Sequence, residues 1–170
     1  MAPVPPFAVA PELGEAKFVA PRDFIWDDDL PVDLDSHGTH VTGTIGQLTN
    51  NNVGVAGMAY NVRIMPVKVI DDVWDCVLGS PFVGTDDVIA RGIRYAADNG
   101  AKVINMSIGG SEGGPSTVVD EAIRYAISRG AFVAVAAGNT ADAGNAPSRT
   151  AGSAPGIAGM MAVAAVGRGL

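Results

Sequence analysis

The chain has 170 residues with 11 Lys+Arg, 18 Asp+Glu, two His and one Cys, for a formal charge of -7. That length builds one domain with a sizeable core; at 48% hydrophobic and 17% charged, below the roughly 25% charged usual for soluble domains, most of the chain is expected to be buried, which argues against disorder. The acidic balance without any Lys/Arg cluster speaks against nucleic acid or an anionic membrane as partner, and a lone cysteine closes no internal disulfide. Twenty-two glycines, without a collagen period, point to sharp turns around buried strands.

In chain order, MAPVPPFAVAP has no Lys or Arg in front and carries Pro3, Pro5, Pro6 and Pro11, so it does not read as a signal peptide. Residues 1–36 look irregular, with PEL at 11–13 and Asp27-Asp28-Asp29 bounded by Pro21 and Pro31. HGTHVTGTIGQL at 37–48 places Val41, Ile45 and Leu48 at helical spacing and predicts a buried, glycine-containing helix. TNNNVGVAG at 49–57 is a turn-rich loop, and VRIMPVKVI at 62–70 is a β-branched strand in which Pro66 argues for an edge or a bulge.

The segment 71–84 is loop-like and carries Trp74, Cys76 and Phe82. Val88, Ile89, Gly92, Ile93, Ala96 and Ala97 then predict a helix over about 85–99 that ends at Gly100. KVINMSI at 102–108 is a strand, followed by the loop GGSEGGPS. Thr117 and Asp120 form a weak capping box for a second helix, with Val118, Val119, Ala122, Ile123, Ala126 and Ile127 on one face and a stop at Gly130. AFVAVAAG at 131–138 and MMAVAAV at 160–166 are further strands.

Near-continuous apolar strands alternating with helices of about 13 residues call for a mostly parallel sheet covered on both faces, a three-layer α/β sandwich. Ligands of such sheets lie beyond the carboxyl ends of the strands, here the loops that start near Ile70, Ile108 and Gly138.

Both histidines, His37 and His40, fall in one short run. Their spacing admits a zinc pair, but a third ligand would have to be an Asp, a Glu or Cys76, and no HExxH pattern exists. Packed or capping histidines are the ordinary alternative, and a general base poised near neutral pH is the functional one. Asn139 is either a turn residue that tolerates left-handed backbone or an N–H donor for a developing oxyanion. Ser107 lacks the G-x-S-x-G elbow of a nucleophile and fits a strand-end hydroxyl or a peptide-binding segment better.

HGTHVTGTIG at 37–46, GVAGMAYNVRIMPVKVI at 54–70, VINMSIGG at 103–110 and VAVAAGN at 133–139, in that order, resemble the subtilisin-like serine proteases, the subtilases. The resemblance implies an α/β, three-layer subtilisin-like fold and a serine-type endopeptidase working through an acyl-enzyme. It implies His37 as the catalytic base, His40 as a structural partner and Asn139 as the oxyanion-hole donor. Ser107, Ile108 and Gly109 would pair with the substrate backbone as an added strand, and Ala136, Ala137 and Gly138 would line the S1 pocket. Thr140 after Asn139 gives no preference for a charged P1 residue.

No cofactor is expected for the chemistry, but LTNNNVGV at 48–55 resembles the family's calcium loop. Glu12 of PEL would give a carboxylate, and Leu48, Asn50, Asn51, Asn52, Val53 and Val55 the remaining oxygen donors, with the register open by one residue. A plain Asn-rich turn is the alternative.

Two members of the triad are missing from the pattern. Residues 1–11 contain no Asp at the position that precedes PEL in the family, Asp35 occupies a different position, and no GTSMA-type motif follows AAGN. The span 1–170 therefore reads as a partial peptidase domain truncated at both ends, irregular over 1–36 and regular over 37–170, with the isolated chain inactive and poorly soluble. A non-catalytic peptide-binding module is the rival reading; a nucleotide-binding domain fails for want of G-x-G-x-x-G. For the full-length protein the resemblance implies a polypeptide substrate, a propeptide, an extracellular location and a monomer.

Overall fold

Before residue 36 the sequence shows no period, yet the chain pairs there. In the computed structural model, which describes residues 10–14, 17–71, 84–109, 114–140, 144 and 146–165, Arg22–Asp23 (β1) lies parallel to Val67–Lys68 (β2). An isolated parallel bridge joins Phe18 to Ile64. Three residues lie between Phe18 and Arg22 but two between Ile64 and Val67, so the first strand carries one extra residue, next to Ala20 at φ 43. Pro66 donates no N–H but accepts one from Arg22 through its carbonyl at 3.0 Å. The predicted strand over 62–70 is thus reduced to a bridge and two residues. The sequence before residue 36 hides β1 because Ala20 and Pro21 break any alternation.

The chain forms two units, Met1–Gly84 and Thr85–Leu170. In the first, His37–Gly46 is a helix (α1), ending two residues earlier than expected. It is not buried: His37, Gly38, Thr39, His40 and Thr44 are exposed and only Gly46 is buried. The reason is local. The helix touches its neighbour through Gly46, where an added Cβ would come within 2.8 Å of Ile64 Cδ1 and Val62 Cγ1. Lys17 Nζ donates to the Gly46 carbonyl at 2.7 Å, placing a cation at the negative end of the helix.

The expectation of a mostly buried chain fails in this unit. Leu13 is its one buried apolar side chain among the described residues, while Val55, Met58 and Tyr60 are exposed. A polar cluster takes the place of an apolar core. Asp23, fully buried, accepts the Ile25 and Trp26 N–H groups through Oδ1 at 2.7 and 3.0 Å. Lys68 Nζ lies 3.6 Å from Asp23 Oδ2 and donates to Asp71 Oδ2 at 2.7 Å and to the Val32 carbonyl at 2.8 Å. Pairing of this kind roughly offsets the cost of taking the charges out of water, and loss of one partner would strand the other.

The second unit follows the predicted pattern closely. Asp86–Asp98 (α2), Val103–Met106 (β3), Thr117–Ser128 (α3), Phe132–Ala136 (β4), Arg149–Gly152 (α4), a 3-10 turn at Ala154–Gly156 and Met160–Val163 (β5) succeed one another. The three strands are parallel in the order β3-β4-β5. Thr85 caps α2, its side chain accepting from Val88 N, and Asp86 and Asp87 sit in the positive first turn. The cap of α3 is Ser116, not Thr117: Ser116 has extended backbone and accepts from Val119 N, whereas Thr117 is already helical. Asp120 instead accepts from Ser153 Oγ at 2.8 Å.

Both long helices end in the same way. Gly100 at φ 85 and Gly130 at φ 87 supply the left-handed step, and the following alanines, Ala101 and Ala131, donate back to Ala96 and Ala126. Each helix thereby turns straight into a strand. Ile93 and Ala97 of α2 and Val119, Ala122, Ile123 and Ala126 of α3 pack with Met106, Val133, Val135 and Met160 in one core. Burying Ile123 and Val133 completely contributes about 1.5–3 kcal/mol each. On the other face of the sheet Val103, Phe132, Met161 and Val163 are exposed among the described residues. The short α4 had no forecast; four residues carry no period. Residues 1–9, Trp74, Cys76 and Phe82, and positions 110–113 of the glycine-rich loop lie outside the described residues.

Candidate active site

The parallel register decides what meets at the carboxyl edge of the second unit. Met106 stands opposite Val135, so Ser107–Gly109 and Ala137–Asn139 leave neighbouring strands side by side. Ser107 Oγ accepts from Asn105 Nδ2 at 2.9 Å, and Ile108 packs partly against the core. Asn139 is exposed at the tip of its loop, following Gly138 at φ 119. Two of the readings for Asn139, turn residue and free N–H donor, are therefore compatible with its position.

Ser148, which sequence reasoning overlooked, ties these loops down. It is a buried polar residue. Its N–H donates to the Ala137 carbonyl at 2.6 Å and its Oγ to the Ala136 carbonyl at 2.8 Å, while Ala151 N donates to that same Oγ. A Cβ added to Gly109 would lie 2.8 Å from Ser148 Cβ, and one added to Gly138 would lie 3.2 Å from Ser148 N. Gly109 leaves no room for a Cβ because the serine fills the space between the loops, and at Gly138 the left-handed φ of 119 adds to a tight fit. Thr140 Oγ1 donates to the Ala146 carbonyl at 2.6 Å and closes the same turn. Ser107, Ile108, Gly109, Ala136, Ala137, Gly138 and Asn139 are thus collected at one edge.

In the first unit His37 opens α1, exposed, and no carboxylate among the described residues of that unit pairs with its ring. Its helix has an unusual start. Ser36, the residue before it, has φ 74 and makes no side-chain cap. Asp33 supplies the missing acceptors: Oδ1 takes the Asp35 and Ser36 N–H groups at 3.1 and 2.9 Å, and Oδ2 takes that of Thr39 at 2.7 Å. Partial burial would raise the Asp33 carboxyl, but the hydrogen bonds from Thr39, Ser36 and Asp35 outweigh it and hold the group below its ordinary value of 3.8.

The loop 48–56 surrounds a cleft of about 220 Å³. Asn51 Nδ2 donates to Glu12 Oε2 at 2.8 Å, its Oδ1 accepts from Val53 N, and Leu48 N donates to the Glu12 carbonyl at 2.7 Å. Asn50 and Asn52 take left-handed backbone, φ 62 and 59. Asn51 is therefore the asparagine whose side chain meets the carboxylate. Leu48, Asn50, Asn51, Asn52, Val53 and Val55 lie in this loop, and Glu12 is tied to it through Asn51 and Leu48. No group of three or more His, Cys, Asp or Glu capable of holding a metal occurs among the described residues, so the zinc alternative for His37 and His40 finds no third ligand there.

Residues 14–168 match the Subtilase family model. The chain belongs to the subtilase family. It is similar to thermitase of Thermoactinomyces vulgaris, 41% identical over 129 residues that cover 76% of this chain and 42% of that one. It is also similar to an extracellular protease of Xanthomonas campestris, 43% identical over 132 residues covering 76% and 21%. Among solved structures, fervidolysin from Fervidobacterium pennivorans, a keratinolytic enzyme related to subtilisin, superposes with a TM-score of 0.62 at 38% identity, over 76% of this chain and 19% of that one. The chain spans less than half the length of the curated relatives it matches. The α/β subtilisin-like class expected from the sequence is shown by these comparisons and by the parallel sheets.

Replacing Ser148 by alanine removes the hydroxyl shared by the Ala136 carbonyl and the first turn of α4. Its cost is expected to be about 1–2 kcal/mol, read as a lower midpoint in denaturant unfolding of the protein.

Proposed function

We propose that this subtilase chain belongs to a serine endopeptidase that cleaves polypeptides through an acyl-enzyme, with His37 as the proton carrier and Asn139 as the oxyanion donor. The observation that carries the reading is the family match over residues 14–168, which includes both residues. An imidazole takes the serine proton as the acyl bond forms and returns it to the leaving amine. An amide N–H fixed in place before charge appears stabilises the tetrahedral oxyanion without reorganisation. The main chain at Ser107–Gly109 suits pairing with an extended peptide, and Ala136–Gly138 suits one wall of the P1 pocket. Thr140 adds no charge there, so nothing at that position favours a charged P1 side chain.

Within residues 1–170 neither the family's aspartate nor its serine is recognisable, so this reading assigns those roles to residues outside the span. A polypeptide of residues 1–170 alone then has no acyl-enzyme step. Extracellular location, a propeptide and a monomeric catalytic domain belong to the same reading, the first supported by the naming of the Xanthomonas relative. Calcium is proposed as a structural ion for the loop 48–55, held by the Glu12 carboxylate, the Asn51 side chain and main-chain oxygens; when bound it would rigidify that loop and take no part in the chemistry.

A biotinylated fluorophosphonate is expected to label the protein at its natural length and to leave the 170-residue polypeptide unlabelled. Asn139→Ala should lower kcat about a hundredfold with little change in KM. A natural-length protein that binds peptides but resists the phosphonate would favour the non-catalytic module. For the ion, millimolar calcium should raise the melting temperature over an EGTA control, and Glu12→Gln should abolish most of that rise; equal melting curves would remove calcium from the account.

A further inference from the structure

We propose that Asp33 is a positioning residue for His37, its carboxylate locking the left-handed step at Ser36 and the first turn of α1 so that the histidine leaves the chain in one fixed direction. The inference rests on the reading of His37 as the base. Its physical grounds lie in the backbone on either side of that residue.

Ser36 adopts φ 74 and ψ -12, a conformation that residues with a Cβ avoid and that persists only when neighbours enforce it. Nothing in Ser36 itself enforces it, since its side chain makes no cap bond, and α1 has no acidic residue in its first turn. Asp33 does so with both oxygens. Through Oδ1 it holds the Asp35 and Ser36 N–H groups, just before His37, and through Oδ2 the Thr39 N–H, just after it. The carboxylate also lies against the main chain between these points: a Cβ built on Gly38 would stand 3.6 Å from Asp33 Oδ2. One side chain therefore binds the main chain on both sides of His37, at Asp35 and Ser36 before it and at Thr39 after it.

A simple turn-forming aspartate would need only the Oδ1 arm. The Oδ2 arm reaches six positions along the chain to Thr39, the third residue of the helix, and ties its first turn to the turn before it. The backbone that carries the His37 Cβ is thereby fixed at both ends. An imidazole displaced by even an ångström from a reacting oxygen loses much of its effect, which is why the position of this backbone matters to turnover.

The experiment uses the natural-length protein with Asp33→Asn, Asp33→Ala and Asp33→Ala combined with Ser36→Gly. Asparagine keeps one oxygen for Asp35 and Ser36 but turns N–H groups toward Thr39. Glycine at 36 adopts the left-handed step without help. On a peptide anilide, kcat is expected to fall roughly ten- to a hundredfold in Asp33→Ala with KM within about twofold, to fall less in Asp33→Asn, and to recover in part in the double variant. NMR of His37 should show one side-chain rotamer in the parent and averaging in Asp33→Ala. Turnover unchanged in Asp33→Ala, with the Ser36 and Thr39 amides now exchanging freely, would overturn the proposal. So would a His37 rotamer that does not respond to loss of the carboxylate. If Asp33→Ala does not fold, Asp33→Asn carries the same comparison. A parent protein without hydrolytic activity would defeat the protease reading alone, and the His37 rotamer would still decide the role of Asp33.

Discussion

The parallel register of β3 on β4 is the constraint from which the rest of the second unit follows. With Met106 opposite Val135, the loops after the two strands leave the sheet at one edge, and the residues that resemble a peptide-binding strand and an oxyanion donor are neighbours without any long-range device. Two left-handed glycines, Gly100 and Gly130, keep the register by delivering each strand directly from its helix. Ser148 then fills the gap between Gly109 and Gly138 and binds the carbonyls of Ala136 and Ala137, so the loops have little freedom to drift apart. A binding edge for an extended backbone needs that rigidity, because main-chain hydrogen bonds tolerate only small errors in spacing.

The two units reach order by different physics. In the second, alanines and β-branched residues of two helices close over one face of a sheet, and the stabilisation is that of apolar burial. In the first, the buried Asp23 and Asp71 are joined by Lys68, with the exposed Trp26 donating its indole N–H to Asp71, in place of an apolar core. Such a network adds little net stability, because pairing mainly offsets desolvation. Lys68 of that network also holds the Val32 carbonyl, next to Asp33, which sets the start of the helix at His37.

Legibility in the sequence followed the same division. Helices α2 and α3 were plain from a stripe recurring every three or four residues, and their glycine stops were correctly placed, since period and punctuation agreed. The motifs around His37 and Asn139 stood out because residue type and order carry them. β1 was hidden, as two residues with a bulge and Pro21 beside them show no alternation. The burial of α1 was overestimated because a stripe such as Val41, Ile45 and Leu48 says which face is apolar and not whether anything covers it. Asp33 and Ser148 were missed for a common reason: both act on main-chain N–H and carbonyl groups, which leave no mark in a side-chain pattern. The only available hint for Asp33 was an aspartate shortly before a helix whose own cap position held a serine.

The claim that these strand-end loops form the edge on which a peptide is bound and cleaved is tested most directly by a crystal structure of the natural-length protein with a peptidyl boronic acid. The account predicts that the inhibitor backbone lies along Ser107–Gly109, with a boronate oxygen accepting a hydrogen bond from Asn139. An inhibitor seated away from that edge, or an Asn139 side chain turned from the boronate, would contradict it.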